Sequence, residues 1–160
     1  MKINGSFKWN NKDINFTYKD IDSFSDIPLE KIRQCYGVCF YQNKIVLGVY
    51  KDHWSLIGGT REKGEKPEET LRREILEESN MELINYLPIG FQYIPGDGSN
   101  DFYQLRYICK VKPYGDFVKD PGGNVTGIEI INSEDFLNYV KWGKVGERIL
   151  ERAIELKDKI

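Results

Sequence analysis

Residues 58–81 read GGTREKGEKPEETLRREILEESNM and hold seven glutamates between Glu62 and Glu78. Pro67 suits the first residue of a helix, because the N–H that proline lacks is one that a first helical turn leaves unpaired. Asn80 suits the end of that helix, since asparagine adopts a positive φ more readily than most residues with a side chain. The stretch therefore predicts a glycine-containing loop followed by a helix over 67–79.

The glutamates of this helix do not form an ordinary solvated face. At about 100° per residue, Leu71 and Ile75 share one apolar stripe, Glu78 falls inside that stripe, and Glu74 and Glu77 flank it. A carboxylate turned towards a core is costly unless it is paired or bound to a metal. Three carboxylates at this spacing also repel one another, so the placement favours a divalent cation.

The alternative is a charged helix whose acids are paired with Arg72 and Arg73 in solvent. That interpretation accounts for most acid-rich helices, but it leaves Glu78 in the apolar stripe unexplained. Hard oxygen ligands select Mg²⁺ or Mn²⁺ over zinc. We therefore expect Mg²⁺, with Mn²⁺ as a substitute.

The same segment carries a spaced pattern of residues. Gly59, Glu65 and the run Arg73–Met81 stand in the order G-x5-E-x7-R-E-U-x-E-E-x-G-U, where U is aliphatic. This pattern resembles the Nudix box of the Nudix hydrolases. Asn80 stands where the family has glycine, and we expect the protein to keep its function because asparagine can supply the same left-handed turn.

The resemblance implies a fold and a reaction. The fold is an α+β domain, an α/β/α sandwich around a mixed sheet, and we expect residues 1–160 to form this single domain. The reaction is hydrolysis of a diphosphate linkage in a nucleoside diphosphate joined to a further group X. We favour a nucleoside triphosphate, oxidised or not, cleaved to monophosphate and pyrophosphate. The alternatives are ADP-ribose, a dinucleoside polyphosphate, a nucleotide sugar, or a non-catalytic nucleotide-binding module.

The resemblance also assigns metal ligands. These are the carboxylates of Glu74, Glu77 and Glu78, with the backbone carbonyl of Gly58 as a further ligand.

Four box residues are catalytic candidates: Glu65, Arg73, Glu77 and Glu78. The resemblance implies that Arg73 and Glu65 form an ion pair that orients Glu74. Either Glu77 or Glu78, or an acid outside the box, takes the proton of the attacking water. The candidates outside the box are Asp97, Asp101 and Glu129.

The Nudix-box pattern does not indicate which group X is joined to the nucleoside diphosphate of the substrate. Aromatic side chains that could stack a base lie at Trp54, Tyr93 and Phe102, and such stacking contributes about 1–3 kcal/mol per base. We take these three as the substrate-binding candidates. The loop 96–100 is either a specificity loop or a long hairpin turn.

Outside the box the chain reads as short strands and two further helices. The predicted strands are 6–9, 14–18, 35–41, 44–50, 83–94, 102–111 and 126–131, with a short apolar run at 54–57 that ends at Gly58. The predicted helices are 134–140 and 144–159, and 20–34 is a polar connector.

Composition narrows the class of protein. The 160 residues carry 23 Lys and Arg against 25 Asp and Glu, which argues against a surface built to hold a nucleic-acid polymer. No stretch is long and apolar enough for a membrane span, and the N-terminus lacks a secretory leader pattern. We expect a cytoplasmic protein that binds a small nucleotide. A homodimer could use the N-terminal hairpin or a sheet edge, but no pattern requires one.

The cysteines and the single histidine give little information about function. Cys35, Cys39 and Cys109 contain no Cys-x-x-Cys pair and are predicted to be small buried residues. His53 is the only histidine, which excludes a multi-histidine metal site. We expect His53 to be structural or to lie at the edge of the substrate site.

Overall fold

One mixed β-sheet runs through the computed structural model, which describes residues 1–160. The strands are β1 (Lys2–Trp9), β2 (Lys12–Asp20), β3 (Ile32–Tyr41), β4 (Lys44–Val49), β5 (Trp54–Ser55), β6 (Ile57–Thr60), β7 (Met81–Ile94), β8 (Phe102–Pro113) and β9 (Gly127–Ile131). The α-helices are α1 (Pro67–Ser79), α2 (Phe136–Tyr139) and α3 (Gly143–Leu156). Short 3₁₀ turns lie at Leu29–Lys31, Ser133–Asp135 and Lys157–Lys159.

The order of strands explains why the sheet is mixed. Along the sheet it is β1-β2-β7-β8-β3-β4-β5, with β6 paired to β3 and β9 paired to β4. Every pairing is antiparallel except that of β3 with β8. Helix α1 packs on one face and α3 on the other. The predicted α/β/α sandwich is therefore confirmed.

The side chains of β3 point alternately into two apolar cores, one on each face of the sheet. Val38 and Phe40 face the apolar cluster that includes Ile149 of α3. Cys35 and Cys39 face the opposite cluster, which includes Leu71 of α1. Because successive side chains of a strand point to opposite faces, one strand serves both layers. All three cysteines are buried and free. No helix has both the length and the apolarity needed to cross a membrane.

The two predicted hairpin turns and the end of α1 contain residues with a positive φ. Asn10 and Asn11 join β1 to β2 with φ values of 48° and 62°. Gln42 and Asn43 join β3 to β4 with φ values of 49° and 62°. Two successive positive φ values suit a tight hairpin, because this turn matches the twist of the strands. Asn80 ends α1 at φ 53°, as predicted.

Several boundaries differ from the sequence-based prediction. Strand β1 begins at Lys2 and not at residue 6, and the predicted helix 134–140 is divided into a 3₁₀ turn and α2. The run 54–57 is divided between β5 and β6, and Gly58 and Gly59 lie inside β6 because its N–H and C=O groups pair with β3. The predicted helix over 144–159 ends at Leu156 and continues as a 3₁₀ turn. The connector 20–34 is shorter than predicted, since β3 already begins at Ile32.

An ion pair fastens α3 to the sheet. Arg148 donates from Nε and Nη2 to Oδ2 of Asp20 at 2.9 and 2.8 Å, and both side chains are largely buried. Burial opposes ionisation of Asp20, but the hydrogen bonds and positive charges of Arg148 and of the Met1 amino group outweigh it and hold the pKa of Asp20 below its usual range.

Asp20→Asn is expected to lower the free energy of unfolding at pH 7 by about 1–3 kcal/mol, because a largely buried charged hydrogen bond is lost. The aspartate pKa is depressed by folding, so its contribution is present above about pH 4 and is lost as the pH falls through the folded-state pKa. Urea unfolding of both proteins across pH 2–7 checks this. Glu151, an exposed partner of Arg148, provides the control: Glu151→Gln should change stability by less than about 0.5 kcal/mol.

Candidate active site

Helix α1 buries one glutamate beneath β6. Glu78 is 3% exposed, as the helical wheel predicts. Its Oε1 accepts a hydrogen bond from the Gly58 N–H at 3.0 Å, and its Oε2 accepts one from the Tyr50 hydroxyl at 3.1 Å. Burial raises the pKa of Glu78 to about 8, with the negative charges of Glu74 and Asp120 acting in the same direction against these two hydrogen bonds. No Lys or Arg forms an ion pair with it within 4.0 Å.

One guanidinium ties the loop to the helix. Arg73 Nη2 donates to Glu65 Oε1 at 2.9 Å, and Arg73 Nη1 donates to Glu74 Oε1 at 2.9 Å and to Glu77 Oε2 at 3.2 Å. Nη2 also reaches the Thr60 carbonyl at 2.9 Å. The ion pair between Arg73 and Glu65 is thus present, and the same arginine contacts both remaining acids of the box.

Burial and Arg73 act oppositely on these acids. Burial opposes ionisation of Glu65, but the hydrogen bonds from Arg73 and from the Glu62 N–H hold the pKa of Glu65 below its usual range. Burial keeps the pKa of Glu74 raised in spite of Arg73, and the charge of Glu77 adds to that effect. Arg73 therefore outweighs the effect of burial on the pKa of Glu65 but not on that of Glu74.

The two glycines of β6 allow the close packing of this site. A Cβ on Gly59 would lie 2.6 Å from the carboxylate carbon of Glu74. A Cβ on Gly58, where φ is +156°, would lie 2.6 Å from the Tyr36 Cα and would collide with the Cys35 carbonyl. Gly59 thus leaves room for the Glu74 carboxylate of α1, whereas Gly58 leaves room for strand β3.

The donor set fits a hard divalent cation in its chemistry. Three carboxylates lie on two adjacent turns of α1, and burial raises the pKa values of Glu74 and Glu78. Among the His, Cys, Asp and Glu side chains, no three lie close enough together to coordinate one metal ion. Arg73 holds Glu74 and Glu77, while Glu78 is turned towards Gly58, whose N–H makes the contact with this helix.

A further acid near the site was not predicted. Asp120 is 5% exposed, and its carboxylate accepts hydrogen bonds from the N–H groups of Gly122, Asn124 and Val125 at 2.9, 3.2 and 3.0 Å. Its charge raises the pKa of both Glu74 and Glu78. The Asp-Pro-Gly-Gly sequence indicates a turn, but its position beside α1 depends on the tertiary fold.

The other proton-acceptor candidates lie elsewhere. Asp97 is exposed in the loop between β7 and β8. Asp101 accepts from Lys31 at 2.9 Å and from the Tyr93 hydroxyl at 3.0 Å. Glu129 stands on β9 opposite Leu47. No hydrogen bond or ion pair joins any of these three to Glu65, Arg73, Glu74, Glu77 or Glu78.

A cavity of about 560 Å³ opens on the face of the sheet that carries α3. Its thirteen lining residues come from the N-terminal hairpin, the central strands and the start of α3. Aromatic side chains come from Phe7, Phe16, Tyr36 and Trp142, basic ones from Lys8, His53, Arg106 and Lys141, and the remainder from Ser6, Ser55, Gln92, Gln104 and Val145. Tyr36 lies opposite Gly58 in the β3–β6 pairing, so the cavity reaches the strand that pairs with β6.

The three substrate-binding candidates do not line this cavity. Trp54 packs edge-on against Tyr139, with ring centroids 5.0 Å apart. Tyr93 is engaged with Asp101, and the Phe102 ring lies 3.8 Å beneath the Arg33 guanidinium. None of the three is among the thirteen lining residues, and only Tyr93 and Phe102 lie near each other, on the paired strands β7 and β8.

The neighbours of Trp54 occupy the cavity wall instead. His53 and Ser55 line it, because alternate residues of an extended segment share a face. His53 stacks on Tyr50, with ring centroids 4.8 Å apart. The histidine thus lies at the edge of the cavity and against the tyrosine that contacts Glu78.

Comparisons with known proteins bear on the family and on the fold. The family model described as NUDIX domain matches residues 33–152. The nucleoside triphosphatase NudI of Salmonella arizonae is 44% identical over 57 residues, which cover 36% of this chain and 39% of the relative. NudI of Salmonella heidelberg is 45% identical over 58 residues, with 36% and 39% covered. The match therefore spans about two fifths of the length of these curated relatives.

Solved structures show the same fold. The Bacillus subtilis pyrophosphohydrolase BsRppH superposes with a TM-score of 0.70 at 18% identity, covering 94% of this chain and 96% of that one. A NUDIX-family hydrolase from Clostridium perfringens gives a TM-score of 0.58 at 22% identity, covering 81% of this chain and 97% of that one.

Proposed function

The chain belongs to the Nudix family, and from this premise we propose that it hydrolyses a diphosphate linkage in a nucleoside diphosphate joined to a further group. The observation that carries the proposal is the carboxylate of Glu78, which is 3% exposed and lies beside Glu74 without a cationic partner. A protein retains such a costly group where a ligand completes it. A bound divalent cation and a diphosphate would complete it together.

The residues of the box divide the work. We assign Glu74, Glu77 and Glu78 to hold Mg²⁺ or Mn²⁺, with the Gly58 carbonyl as a further ligand. When bound, the cation stabilises negative charge on the transferring and leaving oxygens of the diphosphate. Glu65 holds Arg73, and Arg73 fixes the positions of Glu74 and Glu77 through the bonds described above. Either Glu77 or Glu78, or an acid outside the box, accepts the proton of the attacking water.

We propose a nucleoside triphosphate as substrate, in its ordinary or oxidised form, cleaved to monophosphate and pyrophosphate. The curated relatives that match 57 residues of this chain are named nucleoside triphosphatases, and the aromatic cavity suits a nucleoside. ADP-ribose, dinucleoside polyphosphates and nucleotide sugars are the alternative substrates.

Three free buried cysteines suit a reducing compartment, which supports a cytoplasmic location.

A panel of substrates tests this proposal. The protein is incubated with Mg²⁺ and with dNTPs, 8-oxo-dGTP, ADP-ribose, NADH, dinucleoside polyphosphates or nucleotide sugars, and the phosphate products are identified. We expect pyrophosphate release from one or more triphosphates, and none after EDTA treatment until Mg²⁺ is restored. Absence of turnover across the panel in a folded sample would favour the non-catalytic binding module.

Arg73→Lys is expected to weaken hydrolysis and the apparent Mg²⁺ affinity by about 10–100-fold, the usual effect of removing a group that orients metal ligands. Lysine keeps the charge but cannot span Glu65, Glu74 and Glu77 with a planar fork. The measurement is initial rate against Mg²⁺ concentration. The neighbouring Arg72→Lys is the control, since Arg72 reaches the Leu83 carbonyl at 2.9 Å and touches no box acid. Equal Mg²⁺ curves for both variants would contradict the positioning role.

A further inference from the structure

Arg106 is a buried cation without a carboxylate partner. It lies in β8, lines the cavity and is 3% exposed. Its Nη2 donates to the side-chain oxygens of Gln104 and Gln92 at 3.1 and 3.5 Å, its Nη1 donates to the Leu105 carbonyl at 3.2 Å, and its Nε has no partner. Burial of a guanidinium is costly when no anion offsets it, and here burial holds the pKa of Arg106 below its usual range.

The surroundings of Arg106 are aromatic and basic. Its guanidinium lies 4.9 Å from the centroid of the Tyr36 ring and 5.8 Å from that of Trp142. Lys8, His53 and Lys141 also line the cavity, and no aspartate or glutamate is among the thirteen lining residues. Lys8 and His53 are paired with Asp13 and Asp52, which lie outside the lining. The positive charge of the cavity that has no acidic partner therefore belongs to Arg106 and Lys141.

We propose that the cavity binds an acceptor-only group of the substrate and that Arg106 is the residue that selects it. The inference rests on the proposed function, because it concerns the part of the nucleotide that the box does not hold. Two sources present this chemistry: the oxygens of a phosphate group, and the O6–N7 edge of guanine. Both accept two parallel N–H bonds from one guanidinium, which a lysine cannot donate.

The N-terminal hairpin, formed by β1 and β2, contributes part of the cavity wall. Phe7 and Lys8 of β1 and Phe16 of β2 line it, although the family model matches only residues 33–152. The walls of the cavity thus come partly from a segment outside that match. Selection by Arg106 consequently takes place in a pocket that the box sequence does not specify.

Binding without metal tests the proposal independently of hydrolysis. Calorimetric titrations with GMP, AMP and inorganic pyrophosphate are compared between the wild type and Arg106→Met in EDTA. If a phosphate is the source, all three probes bind and each weakens at least about tenfold in the variant. If guanine is the source, GMP binds at least about tenfold more tightly than AMP, and the variant removes that difference. Unchanged affinities for every probe would overturn the proposal.

A second variant covers the case in which Arg106→Met does not fold. Lys141 is exposed on the cavity rim, and Lys144 is an exposed lysine nearby that does not line it. Lys141→Gln should weaken probe binding two- to tenfold and reduce its salt dependence, whereas Lys144→Gln should do neither. Identical behaviour of these two variants would overturn the proposal even without data on Arg106. Hydrolysis of the panel with normal metal dependence would leave the proposed function standing in that case.

Discussion

Glu78→Gln is expected to lower kcat by well over about a hundredfold while the protein remains folded. Removing a group that orients a metal ligand already costs about 10–100-fold, and Glu78 is proposed as a ligand itself. The glutamine oxygen can still accept the hydrogen bond from the Gly58 N–H, and its amide nitrogen can donate to the Tyr50 hydroxyl oxygen, so the packing beneath β6 is preserved. It cannot supply negative charge to a cation. Glu77→Gln is expected to lose activity to a similar extent.

The measurement is kcat at saturating Mg²⁺, combined with a thermal melt of each variant. Glu68→Gln is the matched control, because Glu68 lies in the first turn of the same helix and belongs to none of the specified box positions. It should retain nearly full activity. Near-wild-type, Mg²⁺-dependent hydrolysis by either Glu77→Gln or Glu78→Gln would show that the assignment of these residues as ligands is wrong.

Local periodicity is the reason that the acidic helix could be predicted. The burial of Glu78 follows from its angle relative to Leu71 and Ile75, and the helix ends depend on Pro67 and Asn80. All of these relations lie within about four turns of one helix. The hairpins of β1–β2 and β3–β4 are local in the same way, since two-residue turns with positive φ fix their registers.

The cavity could not be predicted because its walls are distant in sequence. Lys8, Tyr36, Arg106 and Lys141 belong to four separate parts of the chain and meet only because β8 lies beside β3 and α3 covers the sheet. Arg106 occupies an ordinary position in a strand pattern. The sequence offers no signal that its side chain is buried without an acid.

Aromatic content does not by itself indicate which side chains line the cavity, for a related reason. Trp54, Tyr93 and Phe102 are in strands where a one-residue shift moves a side chain to the other face of the sheet. In β5 that alternation directs Ser55 rather than Trp54 to the cavity. A sequence-based choice among aromatics therefore requires the register of each strand, which is set by partners elsewhere in the chain.

The two glycines of β6 are expected to respond differently to the same substitution. In Gly59→Ala the new methyl group would lie 2.6 Å from the carboxylate carbon of Glu74, and that side chain can move away. The fold should persist, with stability reduced by less than about 1 kcal/mol, while displacement of one ligand by about 1 Å is expected to lower activity about a hundredfold. Rates against Mg²⁺ concentration and urea unfolding of the same sample separate the two effects.

Gly58→Ala should instead destabilise the protein by several kcal/mol, because the methyl group would meet the backbone of β3 at the Cys35 carbonyl and the Tyr36 Cα, neither of which can turn away. Gly127→Ala supplies the control, since a Cβ there has no neighbour within 4 Å. It should change neither stability nor rate. If Gly59→Ala retained full activity, Glu74 would not need its observed position beside β6, and its assignment as a metal ligand would fail. A loss of activity confined to Gly59→Ala among stable variants would indicate that the glycine is required for the placement of one carboxylate and not for the fold.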